Sequence, residues 1–272
     1  MNLPLRRLGW EFNLPDGGTP CETESIDEKL SPPPNYFDDN FIEIPRSSLK
    51  ARGYWLISGV FLFILTLYLY LLHPPQLNMS HLQFIALDLL MFTAGVFIVT
   101  SYMRIDFGLP RDEPIRFNRH RRKVYFYQYR FDRLHPFGRK NWGVKPVSYD
   151  WDDVTAEAYR IYLPMGYGGL KEWVMLSIQK PGASEVIDRI FLSDNIEKGK
   201  QYWAIARLFM QKGPEALPEF VHPPKDWNEF PNPGPWENAF HRNPFDRLAP
   251  EVRWPAGMDL ESRTAPTPEV RQ

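Results

Sequence analysis

Two apolar stretches decide the predicted fold: YWLISGVFLFILTLYLYLL, from Tyr54 to Leu72, and FIALDLLMFTAGVFIVTSY, from Phe84 to Tyr102. Each stretch has about the length that an α-helix needs to cross a bilayer, because a helix rises about 1.5 Å per residue. Only residues 73–83 separate the two stretches. The sequence therefore predicts a transmembrane helical hairpin within residues 46–104.

Basic residues flank the two stretches, and the connection between them contains no Lys or Arg. The flanking cations are Arg46, Lys50, Arg52, Arg104, Arg111 and Arg116. Since Lys and Arg are retained on the cytoplasmic side of a membrane, this asymmetry predicts a membrane protein with both termini in the cytoplasm.

Charge divides the rest of the chain into regions of opposite sign, although the net charge is only −1. Nine acidic residues and one Lys occur between Glu11 and Glu43, with several prolines, which predicts a disordered acidic tail over residues 1–45. Nine basic residues and one Asp occur between Arg116 and Lys140. Cys21 is the only cysteine, so an intrachain disulfide is excluded.

After the apolar stretches, the period of the hydrophobic pattern indicates strands. Val124–Phe131 and Trp173–Gln179 alternate between two faces, and short turns such as Pro181-Gly182-Ala183 connect successive runs. These features predict an antiparallel sheet. A helix over Ile196–Lys212 follows, with Asp194 as the expected N-cap and Gly213-Pro214 as the stop.

A curved sheet of six or seven strands that ends in one helix resembles the pleckstrin-homology-like barrels found behind membrane spans in bacterial proteins. Trp151, in SYDWDDV, resembles the tryptophan that often opens a middle strand of such barrels. The expected fold class is α+β, with two membrane spans followed by a cytosolic antiparallel barrel over residues 112–217. A different α+β roll is the alternative. Trp151 and Trp203 are expected to be structural core residues.

Residues 218–272 are rich in Pro and Trp, which predicts an extended tail. Its large apolar side chains need to be buried somewhere, either on this chain's own domain or on a partner protein. The candidate partner-binding residues are Trp227, Trp236, Phe240, Phe245 and Trp254.

The basic stretch RFNRHRRKVYFYQYR, residues 116–130, has its cations close to the second apolar run. Contact with anionic lipid is favoured over nucleic acid, since a bilayer would be the nearer anion. The candidate lipid-binding residues are Arg119, Arg121, Arg122 and Lys123. The alternative is that these cations only set the membrane topology.

Few residues of the sequence form a pattern that is typical of a catalytic site. Asp150, Asp152 and Asp153 form the densest carboxylate group of the domain, but Asp153 is expected on the opposite face of a strand. The chain contains no HExxH, GxSxG or Walker motif. We therefore expect a protein that is not an enzyme and has no metal and no cofactor.

The order of two apolar runs, IRFNRHRRKVYFYQYRF, SYDWDDV, PWENAF and EVRWP resembles an uncharacterised family of bacterial inner-membrane proteins with two spans, often encoded near type VI secretion genes. The resemblance implies a non-catalytic protein that binds another protein, as an immunity protein for a neighbouring toxin. An adaptor that holds an effector or a secretion component, and a lipid-sensing module, are the alternatives. The sequence leaves the oligomeric state open.

Overall fold

The computed structural model of the protein describes residues 8–20, 26, 30, 32–46, 52–72, 82–110, 112–132, 134–163, 169–183, 185–220, 245 and 248–266. The strands among these residues are β1 (Trp10–Asn13), β2 (Tyr36–Phe37), β3 (Phe41–Ile44), β4 (Ile115–Asn118), β5 (Lys123–Phe126), β6 (Tyr129–Arg130), β7 (Gly143–Val144), β8 (Val147–Asp150), β9 (Val154–Leu163), β10 (Gly169–Gln179) and β11 (Val186–Ser193). The α-helices are α1 (Tyr54–Leu72), α2 (Leu82–Gly108), α3 (Ile196–Lys212) and α4 (Ala256–Arg263).

The strands form two main antiparallel sheets and one small one. The first sheet has the order β1-β9-β10-β11, the second has the order β2-β3-β4-β5-β8, and β6 pairs with β7. A single 3-10 turn, Trp151–Asp153, carries the chain from β8 in the second sheet to β9 in the first. The predicted pleckstrin-homology-like barrel is wrong, because among the described residues each sheet ends in two unpaired edge strands and nothing closes them into a cylinder.

The predicted transmembrane hairpin is also wrong. Within the residues that the structure describes, no helix is both long enough and apolar enough to cross a bilayer. The helix α1 has the predicted limits, but α2 runs to Gly108, beyond the predicted end at Tyr102. The last turns of α2 bury Ser101 and Asp106 and pack Ile105 against Tyr129 of β6. The end of the second apolar run is therefore part of the sheet domain.

The expectation of a disordered acidic tail was wrong for the described residues of this segment. Three strands form there, and β3 adds to the second sheet by pairing Phe41 with Asn118 and Ile44 with Ile115. Leu14, Ile42 and Ile44 are buried in the hydrophobic core. The acidic composition hid these short alternating runs, since a strand of four residues needs only two apolar side chains to cover its buried face.

The helix α3 closes the core that the two main sheets share. Its limits agree with the prediction, and Gly213 ends it with a positive φ of 90°. The N-cap is Asn195, whose side chain accepts a hydrogen bond from the Lys198 backbone N–H, so the expected cap at Asp194 was one residue too early. The rings of Trp151 and Trp203 lie 5.0 Å apart in this core. Both tryptophans are buried.

A buried arginine joins the two main sheets. The guanidinium of Arg46, directly after β3, donates to the carbonyl oxygens of Glu113 at 2.8 Å, Phe191 at 2.9 Å and Tyr127 at 3.1 Å. Burial lowers the pKa of Arg46, and the nearby Glu113 carboxylate opposes this shift. Removal of this side chain would leave several buried carbonyl groups without their donor.

Candidate functional site

The hairpin of α1 and α2 carries the largest apolar surface of the described protein. Side chains on several sides of both helices are exposed, although they are aliphatic or aromatic. On α1 the exposed set includes Ile57, Val60, Phe61, Leu62, Phe63, Ile64, Leu65 and Tyr68, and on α2 it includes Leu89, Leu90, Phe92, Val96, Phe97 and Ile98. We call these residues the hairpin surface. A helix that is apolar around its whole circumference is ordinarily buried.

Close backbone packing joins the two helices to each other. A Cβ atom at Gly59 would lie 2.6 Å from Cγ1 of Val99, so only glycine allows α1 to approach α2 at this point. A Cβ atom at Gly95 would have no heavy atom within 4 Å. Gly95 therefore leaves an open notch on the surface of α2, with the exposed side chains of Phe92 and Ile98 about one turn away on either side.

Two arginines hold the base of the hairpin: Arg52 joins the start of α1 to the end of α2, and Arg104 joins α2 to the loop after β6. Arg52, before α1, donates to the carbonyl oxygens of Leu109 at 2.8 Å and Pro110 at 3.2 Å, and also to that of Asp106. These carbonyls lie at the end of α2, where helical carbonyls have no partner within the helix. Arg104 donates to the Gly138 carbonyl at 2.7 Å, and its guanidinium lies 4.3 Å from the Trp142 ring centroid.

The cations that flank the apolar runs are thus engaged within the protein. Arg46, Arg52, Arg104 and Arg116 all make hydrogen bonds to other parts of the chain. Lys50 and Arg111 lie outside the described residues. The sequence pattern that predicted a membrane topology is therefore accompanied by specific structural contacts for four of the six cations.

A second candidate surface lies on the outer face of the second sheet. Alternation of side chains along β4 directs Ile115 and Phe117 into the core, which leaves Arg116 and Asn118 on the opposite face. Both polar residues are nevertheless buried. Their cover is the segment 253–265, which contains α4. We call the surface formed by Arg116, Asn118, Arg121 and Lys123 the basic face.

Arg116 is the centre of the basic face. Its Nε donates to Oε2 of Glu43 at 2.6 Å, and its Nη1 donates to Oδ1 of Asp259 at 2.6 Å and to Oγ of Ser262 at 2.8 Å. The guanidinium also lies 4.5 Å from the ring centroid of Trp254 and 5.3 Å from that of Phe41. One buried cation therefore contacts two carboxylates and two aromatic rings.

The other residues of the basic face bind the C-terminal end of α4. Asn118 Nδ2 donates to the carbonyl oxygens of Ser262 at 3.0 Å and Thr264 at 3.1 Å. Arg121 Nε donates to the Thr264 carbonyl at 2.8 Å. Lys123 Nζ donates to Oε1 of Glu261 at 3.0 Å. The face thus supplies donors to helix-terminal carbonyls and to acidic side chains.

These contacts change the proton affinity of the two acids on α4. Partial burial opposes ionisation of Asp259, but the hydrogen bond and charge of Arg116, together with Arg263, hold its pKa below the usual value. The hydrogen bond from Lys123 lowers the pKa of Glu261, against the opposing effect of partial burial. Both acids are therefore stabilised in the charged form when α4 is in place.

The predicted lipid-binding cations take different positions. Arg121 and Lys123 bind the segment 253–265, and Arg122 forms an exposed ion pair with Asp152. The guanidinium of Arg119 lies beside Gly213, at the end of α3. Only Arg121 and Lys123 are brought together on one surface, and the ligand there is the chain's own C-terminal segment.

Of the predicted partner-binding aromatics, Trp227, Trp236 and Phe240 lie outside the described residues. The Phe245 ring packs on Gly53 at the base of the hairpin, where a Cβ atom would lie 2.2 Å from its Cγ. Trp254 packs on Tyr127, with ring centroids 5.2 Å apart, and on Arg116. The two described aromatics therefore both contact this chain.

A cleft of about 710 Å³ lies where α2 meets β6, β7 and the C-terminal segment. Arg104, Phe107, Tyr129, Trp142 and Glu251 are among its lining residues. The cation in this cleft already binds backbone carbonyls and the Trp142 ring. The cleft has apolar walls, and its arginine already binds groups at the base of the hairpin.

A carboxylate and a histidine meet in an exposed loop after β6. Oδ2 of Asp132 accepts from Asn141 Nδ2 at 3.0 Å and lies 2.8 Å from His135 Nδ1. The hydrogen bonds from Asn141 and His135 lower the pKa of Asp132. Oδ1 of Asp132 also accepts from the Leu134 backbone N–H at 3.1 Å, so this carboxylate joins several positions of the loop.

Within the described residues, no group of three or more His, Cys, Asp or Glu side chains is arranged to hold a metal ion. Of the three aspartates around Trp151, Asp152 pairs with Arg122. Slight burial and the neighbouring charges of Asp150 and Asp152 raise the pKa of Asp153. This cluster is a charged surface turn at the junction of the two sheets.

Sequence reasoning missed Arg116, Asn118, Asp259, Glu261 and Ser262 as one site. A signal was present, because Arg116 and Asn118 alternate with Ile115 and Phe117 and therefore occupy the face opposite the core. The short run AGMDLESR after Pro255 also fits a helix with acids at its centre. What the pattern could not supply was the contact between segments separated by more than 140 residues.

The chain belongs to a family of unknown function (DUF6708), because the profile of that family matches residues 92–234, which is more than half of the chain. The matched range includes the sheets from β4 onward and α3, and it ends before α4. No curated protein and no solved structure matches the chain.

Proposed function

We propose that this protein is a non-catalytic binding protein that buries its hairpin surface against apolar helices of a partner protein. The observation that carries the proposal is the exposure of aliphatic and aromatic side chains on several sides of α1 and α2. Apolar area left in water is unfavourable by about 25 cal/mol per Å², so a cover for this surface would be strongly stabilising. Exposed apolar patches of this kind mark interaction sites.

The shape of the surface favours a helical partner. The open notch at Gly95 lies between Phe92 and Ile98, and glycine on a helix face lets the backbone of a second helix approach closely. The contacts of Arg52 join the start of α1 to the end of α2, and that of Arg104 joins α2 to the loop after β6. A preorganised surface loses less conformational freedom on binding, which supports affinity.

Photocrosslinking in cells tests the proposal. A photoreactive amino acid is introduced at Phe61 or Phe92, and as a control at Tyr162 or Leu170, which are exposed apolar positions on the sheets. We expect crosslinks from the hairpin positions to one protein, and none to that protein from the control positions. The variants Phe61→Asn and Phe92→Asn should then weaken its binding at least tenfold. Crosslinks only to lipid, or only to a second copy of this chain, would contradict the proposal.

The identity of the partner is the finer part of the proposal. The resemblance in SYDWDDV, PWENAF and EVRWP supports a partner from type VI secretion, and we propose a toxin that this protein neutralises. Co-expression should then protect a cell from the toxin encoded beside the gene, and Phe61→Asn with Phe92→Asn should remove the protection. Failed secretion of an effector, with no self-poisoning, would indicate the adaptor role instead. The inner-membrane location with cytoplasmic termini stays a prediction.

A further inference from the structure

The basic face has the hydrogen-bond donors of a binding site, and the segment 253–265 occupies it. Arg116 and Asn118 are buried parts of a central strand, and their donors converge on one short helix. If that helix left, the donors that now bind Asp259, Ser262 and Thr264 would lose those partners. Water or another occupant would then have to supply acceptors for these donors, and a segment with carboxylates and unpaired carbonyl oxygens matches them.

The contacts depend more on features that every helix has than on the sequence of the bound helix. Asn118 and Arg121 bind main-chain carbonyl oxygens at the helix C-terminus, and every helix presents such unpaired carbonyls there. Side-chain recognition by charge is restricted to the pairing of Arg116 with Asp259 and of Lys123 with Glu261. The matching ligand class is a short acidic helix with its C-terminal end exposed.

The segment 253–265 has few features that would make its helix stable by itself. The helix α4 has only eight residues, and its N-cap position, Pro255, provides no side-chain hydrogen bond. Such a short helix is not stable in water without a partner surface. Ser262 is its buried residue, and the side chain of Leu260 is 67% exposed. The buried Nε1 of Trp254 has no hydrogen-bond partner among the described residues.

We propose that the basic face is a docking site for an acidic helical segment of another protein, and that α4 occupies this site in cis until that segment displaces it. Charge complementarity identifies the ligand class, because the face presents Arg116, Arg121 and Lys123 to the occupant. The proposal concerns a different surface from the hairpin surface, and it does not depend on the function proposed above. Residues 221–244 connect the sheet domain to this segment in sequence, so the occupant is covalently linked to its site.

Competition between the tethered and a free ligand tests the proposal. The probe is a fluorescent peptide with the sequence of residues 250–266, and its dissociation constant is measured on the full chain by anisotropy. A tethered ligand competes at a high effective concentration, so the unmodified chain should bind the peptide weakly. The variant with Asp259→Lys and Glu261→Lys repels its own segment and should bind the peptide at least tenfold more tightly.

Three controls make the result specific. The variant Glu185→Lys with Glu197→Lys has the same charge change away from the basic face and should behave like the unmodified chain. A peptide carrying Asp259→Asn and Glu261→Gln should bind the released chain at least tenfold more weakly. Adding Arg121→Gln and Lys123→Gln to the released chain should also weaken peptide binding, with circular dichroism confirming the fold.

Equal binding of the peptide to the unmodified and released chains would overturn the proposal, as would equal binding of the neutralised peptide. Light scattering of the unmodified chain provides a further measurement. A concentration-dependent dimer that is lost with Asp259→Lys and Glu261→Lys would identify a second copy as the occupant and would likewise overturn the assignment to a different protein. A monomer at all concentrations, together with the expected peptide affinities, would support it.

Discussion

The helices α1 and α3 are of similar length, but they differ in what surrounds them. Most of the 17 residues of α3 are buried, because the two main sheets cover the helix. The 19-residue α1 is more apolar in sequence, yet its described side chains are largely exposed, and its packing partner is α2. Hydrophobicity therefore determines how strongly a helix favours burial, whereas the neighbouring elements of the fold determine whether this chain buries that helix itself.

The largest expected effect is the loss of a core tryptophan from α3. Trp203 is 1% exposed, packs on Trp151, and donates from Nε1 to the Pro15 carbonyl at 2.7 Å. Trp203→Ala leaves a cavity and an unpaired carbonyl, so the free energy of unfolding should fall by about 3–5 kcal/mol. Urea denaturation followed by circular dichroism measures the change.

The matched variant on α1 is Phe61→Ala, at a side chain that is 63% exposed. It should change the free energy of unfolding of the isolated protein by no more than about 0.5 kcal/mol. Similar losses for Phe61→Ala and Trp203→Ala would contradict the comparison, because they would show that the isolated chain already buries the hairpin surface.

Two glycines, one on α3 and one on α2, should show the same contrast with smaller changes in the free energy of unfolding. A Cβ atom at Gly199 of α3 would lie 2.4 Å from Cγ2 of Val174, whereas one at Gly95 of α2 would meet open space. Gly199→Ala should therefore lower the free energy of unfolding by about 1–3 kcal/mol through overpacking. Gly95→Ala should raise it by up to about 1 kcal/mol, because alanine has the higher helix propensity. A thermal unfolding series would measure both, and destabilisation by Gly95→Ala would indicate a contact that this fold lacks.

Local sequence signals located several elements of the fold, although the predicted strand Val124–Phe131 is divided between β5 and β6, which lie in different sheets. The limits of α3 followed from its periodicity and from Gly213, and the limits of α1 followed from its uninterrupted apolar run. The turn at Pro181-Gly182-Ala183 also lies where the sequence predicted it. These features depend on neighbours within a few residues, which is why a single sequence reveals them.

Features that depend on distant contacts were not predictable in the same way. The strand β3 gains its stability from pairing with β4, more than 70 residues later, and its own short sequence lies in an acidic region. Flanking arginines such as Arg46 and Arg52 suggested membrane topology, but their charges are bound to carbonyl groups from other parts of the chain. The basic face required a segment at the opposite end of the chain to become visible as a site.

The smallest expected effect is a weakening of the contact between α4 and the basic face at low pH. The pKa values of Asp259 and Glu261 are lowered in the docked state, relative to ordinary values of 3.8 and 4.5. For acids with lowered pKa values, the stabilisation is complete above the ordinary values and is lost as the pH falls through the lowered ones. Docking of α4 should therefore be constant between about pH 5 and 7 and should weaken below about pH 4. Because both carboxylates are about one-third exposed, solvent screening limits each ion pair to about 0.2–1 kcal/mol.

Hydrogen exchange of the backbone amides measures this effect, with intrinsic rates corrected for pH. At pH 3.5, protection over residues 256–263 should fall while protection over α3 persists, since α3 is held by the buried core. The variant with Asp259→Asn and Glu261→Gln should have lower protection of α4 at pH 7 and no further loss of this kind in acid. Simultaneous loss of protection in α3 and α4 would show that the segment is an integral part of the core, because a separately docked helix would leave first. Unchanged protection of α4 would mean that its carboxylates contribute nothing to docking, and that main-chain contacts with Asn118 and Arg121 are sufficient to hold it.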